Sequence, residues 1–79
     1  MSRREKLLIK LRNSPRGVRF EELAKLLEWY GFELRRVKGS HYSYKCGSHN
    51  IVVVRRRHHV HSEAVKEVLR IIGEILEEE

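Results

Sequence analysis

The chain has 79 residues, with 17 Lys plus Arg against 11 Asp plus Glu and a formal charge of +6. That length makes one small domain with a thin core, and it excludes a nucleotide-binding α/β fold, for which no Gly-rich phosphate loop is present either. No apolar run approaches the roughly 20 residues of a membrane span, no signal core follows Met1-Ser2-Arg3-Arg4, and the single Cys46 fits a reducing cytoplasm and lacks a partner at zinc spacing.

A first helix is predicted over Arg3–Arg12, with Leu7, Leu8 and Leu11 on one face. Asn13-Ser14-Pro15-Arg16-Gly17 ends it, since Pro15 breaks a helix and Gly17 suits a turn. A second helix spans Phe20–Tyr30, where Phe20, Leu23, Ala24, Leu27 and Tyr30 recur at helical spacing, and Gly31 terminates it. Arg19 is a poor N-cap, so this helix is expected to fray at its start. Trp29 falls on the side away from the apolar stripe, where the first helix is expected to cover it. The alternative for Trp29 is a contact with a protein partner.

Three strands follow. Phe32–Lys38 is the first, with a bulge or irregular end expected at Val37, and Gly39-Ser40 turns the chain. His41–Cys46 alternates, with Tyr42, Tyr44 and Cys46 on one face and His41, Ser43 and Lys45 on the other. Cys46 therefore reads as a small buried hydrophobe. Gly47-Ser48-His49-Asn50 reads as a hairpin loop, and Asn50–Arg57 as a β-branched third strand. The last helix starts at Ser62 as N-cap, with Val65, Val68, Leu69, Ile72, Ile75 and Leu76 as its stripe. Glu77-Glu78-Glu79 is expected to fray at its end. The order is α-α-β-β-β-α, an α+β domain with a three-stranded antiparallel sheet packed on helices.

Residues 1–61 hold 15 basic and 5 acidic side chains, whereas residues 62–79 hold 2 basic and 6 acidic. No acid lies between Leu34 and Ser62, and all five histidines do. Such a single-sign field points to a polyanion: RNA, DNA or a membrane surface. Lys38-Gly39-Ser40-His41 places a histidine after a glycine turn, on the predicted solvent face beside Lys45. An imidazole among cations suits RNA cleavage. It takes the 2′-hydroxyl proton or protonates the leaving oxygen, while cations stabilise the extra charge on phosphorus. Those four residues alone do not separate this role from a surface histidine in a turn.

Arg55-Arg56-Arg57 is the strongest phosphate-binding candidate, joined by Arg35, Arg36, Lys38 and Lys45. For a lone triplet the plainer reading is a solvated edge that discourages aggregation. His58, His59 and His61 lack the further ligands of a metal site, so no metal and no cofactor is expected. Capping the last helix or touching RNA suits them better.

The run from Phe20 to Tyr44 resembles the HicA family of mRNA interferase toxins. The shared features are a helix, Gly31-Phe32, a basic strand, Lys38-Gly39-Ser40-His41 and an aromatic strand. A β-branched strand and a closing helix containing Val65-Lys66-Glu67-Val68-Leu69-Arg70-Ile71-Ile72 follow in order. The resemblance covers residues 18–73 of a single domain, 1–79, with residues 3–12 as an accessory N-terminal helix. It implies a fold like the double-stranded-RNA-binding domain, α-β-β-β-α with one extra helix. It also implies a cytoplasmic toxin of a type II toxin-antitoxin system, which cleaves mRNA without a metal ion and is held by a HicB-type antitoxin.

By that resemblance His41 is the catalytic residue, supported by Lys38, Gly39 and Ser40. The basic field adds Arg35, Arg36, Lys45, Arg55, Arg56, Arg57 and His59 as RNA contacts. Family members often carry a proline after the third strand, where this chain reads Arg55-Arg56-Arg57-His58-His59-Val60-His61. The second proton-transfer group stays open among His59, Lys38 and a phosphate-bound water. The alternative function is a non-catalytic RNA-binding module of the same fold.

Overall fold

The computed structural model describes residues 2–78. In chain order its elements are α1 (Arg3–Asn13), α2 (Phe20–Trp29), β1 (Glu33–Lys38), β2 (His41–Cys46), β3 (His49–Arg56), β4 (His59–Val60) and α3 (Ser62–Glu78). The strands form one antiparallel sheet in the order β1-β2-β3-β4, and all three helices lie toward one side of it. The fold is the expected α+β arrangement with one strand more. No helix among the described residues is long and apolar enough to cross a membrane.

Local chemistry explains most boundaries. The Ser2 hydroxyl accepts from the Glu5 N–H at 3.2 Å and caps α1. Leu8 and Leu11 are buried and Leu7 is half-buried, where α1 packs on α2 and α3. α2 ends as Gly31 N–H donates to Glu28 O at 3.1 Å and Phe32 N–H to Leu27 O at 2.9 Å, the paired bonds of a Schellman motif. Leu26, outside the expected stripe of α2, is fully buried because α1 covers a second side of that helix.

The start of α2 is tied down, contrary to the expected fraying. The Glu22 carboxylate accepts from the Arg19 N–H at 3.1 Å and from Lys10 Nζ at 2.6 Å. Phe20 N–H donates to His58 O at 2.9 Å. At α3 the cap is His61 rather than Ser62: its Nδ1 accepts from the Glu63 N–H at 3.2 Å, and its carbonyl accepts from Ala64. α3 runs to Glu78, so Glu77 is helical, while Glu79 lies outside the described residues.

The bulge lies at Arg35, between Leu34 and Arg36, and not at Val37. One extra residue there lets Leu34 and Val37 both face the side of Tyr44 and Tyr42, their partners on β2. β4 was not expected, because a two-residue His-Val strand carries no periodicity. It pairs with Arg55-Arg56, and its outer side is taken by Val60 N–H donating to Val18 O at 3.1 Å and by an Arg19–His59 bridge.

Each hairpin turns in two residues, so Asn50 lies in β3 as expected and His49, expected in the loop, joins it there. The first turn residue has positive φ in all three: Gly39 at 60°, Gly47 at 57° and Arg57 at 56°. Glycine adopts this conformation freely, whereas an arginine there costs about 1–2 kcal/mol. Arg55 holds the strained turn. Its Nε donates to Arg57 O at 2.9 Å, its guanidinium lies 4.6 Å over the Phe20 ring, and it pairs with Glu21 at 3.4 Å.

Two outcomes follow. Arg57→Gly is expected to stabilise the fold by about 0.5–1 kcal/mol, the left-handed cost less the added chain entropy; a lower thermal midpoint would contradict the strained turn. Lys10, and then the Arg19 N–H, hold the Glu22 carboxyl below its ordinary 4.5. Its contribution is therefore present above the unfolded value and lost as pH falls through the lower folded one. Glu22→Gln should cost about 1 kcal/mol at neutral pH, with the gap to wild type closing in urea titrations below pH ~4. A gap independent of pH would count against that pairing.

Candidate functional site

Strand register assigns each sheet side chain to one of two faces. The helix-facing side carries Tyr44, Ile51, Val53 and Val60, all buried. The other side is open. On it His41 lies across from Lys38 on β1 and from Val54 on β3. Ser43 lies between Arg36 and Val52, and Lys45 between Glu33 and Asn50. One step beyond Val54, Arg56 pairs with His59 on β4.

Directly opposed side chains of such a ladder have Cβ atoms about 4.5–5.5 Å apart, and diagonal ones about 7–8 Å. His41 thus has Lys38 as its direct neighbour, and Arg36 and Arg56 as diagonal neighbours on either side. All four are exposed. Among the described residues none of these three cations has an ion-pair partner. Glu33 sits beside Lys45, about 13 Å along β2 from His41, and is already bonded to Arg35 at 3.2 Å. The field around His41 is therefore unneutralised.

Backbone contacts lock this arrangement. The Arg55 N–H donates to Ser40 O at 2.8 Å, which ties the Gly39-Ser40 turn to β3 where the arginine run begins. Gly39, Ser40 and His41 are thereby held against Arg56. β4, clamped between β3 and residues 18–20, fixes His59 at the far end.

The arginine triplet divides. Arg56 is on the open face, Arg57 is exposed in the hairpin turn, and Arg55 is on the helix side, engaged with Phe20, Glu21 and Arg57. Arg55 thus stands apart from the residues gathered around His41, because an alternating strand cannot point three consecutive side chains one way. The histidine cluster separates likewise: His58 in the turn, His59 on the open face, His61 at the helix cap. Among the described residues no group of three His, Cys, Asp or Glu side chains is placed to share a metal ion.

Cys46 is half-buried, its thiol 3.9 Å from Tyr30 O. α1 leaves Trp29 37% exposed, in a groove of about 390 Å³ with Leu7, Lys6 and Lys25. Val52, 54% exposed, and Val54 add an apolar strip beside His41. Four β-branched residues in a row mask which two face outward, and only pairing with His41 and Ser43 resolves it.

A family model described as "HicA toxin of bacterial toxin-antitoxin" matches residues 20–74. No curated protein and no solved structure matches the chain. The match runs from the first residue of α2 well into α3, and so takes in the whole sheet with its open basic face. The chain belongs to the HicA toxin family, the toxin half of a bacterial toxin–antitoxin pair.

Proposed function

We propose that the chain is an endoribonuclease that cleaves mRNA on the open face of its sheet in the cytoplasm, with His41 as the proton-transfer group. The observation that carries this reading is the ring of unpaired cations around one exposed histidine. RNA lies across β1–β4, with a phosphate between Lys38, Arg36 and Arg56. His41 takes the 2′-hydroxyl proton, the 2′-oxygen attacks phosphorus, and the 5′-oxygen leaves with a proton from a second group. His59 is the stronger choice for that group, because it reaches the same face from the far side of Arg56. The three cations meet the charge that builds on phosphorus, so the route calls for no metal ion.

Gly39 supplies the turn and Ser40 the anchor to β3 that set His41 in place. Arg35, Lys45 and Arg57 extend the phosphate track. Arg55 acts through the turn that it holds and does not itself contact RNA.

His41→Ala is expected to lower cleavage by at least about 100-fold, with stability within about 0.5 kcal/mol of wild type because the site is exposed. Undiminished cleavage by this variant would sink the proposal; RNA binding without cleavage by the wild type would leave a binding module instead. Arg56→Ala should weaken RNA binding and lower the slope of log affinity against log salt by about 0.7. Arg55→Ala should leave that slope unchanged and instead cost about 1–2 kcal/mol of stability. Equal slopes for the two variants would refute the division of the triplet.

A further inference from the structure

The two edges of the sheet differ. The outer side of β4 is occupied by the backbone of Val18–Phe20. Among the described residues no strand lies beyond β1, and all six of its residues are exposed. A two-residue turn makes Lys38–His41 a hydrogen-bonded pair, so Val37–Tyr42 is a non-hydrogen-bonded pair by alternation. The Val37 N–H and C=O therefore point outward from the sheet. On the helix side Leu34 and Val37 stay 48% and 50% exposed, since the helices pack chiefly over β3 and β4. The bulge at Arg35 is what brings both to that side.

We infer that this edge receives an extended segment of the antitoxin as a fifth strand, with acidic side chains toward the open face and apolar ones against Leu34 and Val37. Charge selects the occupant. Two copies of β1 edge to edge would set Arg35, Arg36 and Lys38 against their like, with one glutamate each, so a second copy of the chain is repelled. The same cations attract an acidic strand. Rejection of self and attraction of the partner thus come from one set of residues. Main-chain bonds along β1 supply affinity, and the two apolar side chains fix the register. The inference rests on the toxin–antitoxin pairing and not on the nuclease reading, so RNA cleavage is an independent readout.

The test uses a blocked peptide of alternating glutamate and valine, and its lysine–valine counterpart. The glutamate peptide is expected to slow amide exchange at Val37 and to bind at least tenfold tighter than the lysine peptide. Val37→Pro removes the outward N–H while sparing the ladder to β2, and should weaken binding at least tenfold with cleavage retained. Val37→Glu, an exposed change that keeps the backbone, should do the same through charge, which covers a failure of the proline variant to fold. Both variants should also fail to co-purify with the co-expressed antitoxin. Equal binding of the two peptides, full binding by Val37→Glu, or protection confined to β4 would overturn the inference. A wild type that binds the glutamate peptide but cleaves no RNA would leave it standing and defeat the nuclease reading alone.

Discussion

Phe20 joins the helical layer to the part of the sheet that carries the candidate site. Its ring meets Tyr42 at 4.6 Å, the Arg55 guanidinium lies over it at 4.6 Å, and its N–H holds His58. Each of these contacts is modest, of order 1 kcal/mol. Their positions matter more than their size. Tyr42 is the neighbour of His41, Arg55 is the neighbour of Arg56, and His58 is the neighbour of His59. One apolar anchor on the helix side thus sets three residues whose chain neighbours face outward. Among the described residues no side-chain hydrogen bond holds His41 on the open face, so its geometry comes from the strand ladder and from the core behind it.

The same two-layer plan sorts the charge. α3 carries most of the C-terminal acids, and much of its charge closes on itself: Arg70 binds Glu67 at 2.6 Å and Glu74 at 2.7 Å, and Lys66 lies 3.9 Å from Glu63. This helix packs on β3 from the side opposite His41. The net charge of +6 is therefore a poor description of either surface. Any polyanion approaching the chain would meet a basic face and be turned away from an acidic helix, a field that would orient it before contact.

Much of this was legible in the residues. Alternation in His41–Cys46 placed Tyr44 inside and His41 outside, because a strand with one buried face has a single acceptable register. Leu8 and Leu11 in α1, and Gly31 after α2, followed from helical spacing and from the chemistry of helix ends. What was not legible depended on partners distant in sequence. β4 exists because residues 18–20 cover its outer side. The bulge sits at Arg35 because pairing with Tyr42 and Tyr44 decides where an extra residue fits. The split of the arginine triplet was half legible. Period two separates Arg56 from its neighbours, but it takes the pairing with buried Val60 and the contacts with Phe20 and Glu21 to show that Arg55 lies on the inner side.

The pleat of β2 also determines what kinds of sequence change this chain can absorb. Adding or deleting one residue between His41 and Tyr44 would put the strand out of phase on one side of the change, turning either His41 from the open face or Tyr44 out of the core. Stability or site would fail in one step, so length change in β2 has no gradual route. β1 differs, for it already carries an extra residue at Arg35 in an edge strand whose residues are all exposed. Divergence among such chains should then proceed by substitution in β2 and by insertion or deletion in β1, with the boundary between the two regimes at the Gly39-Ser40 turn.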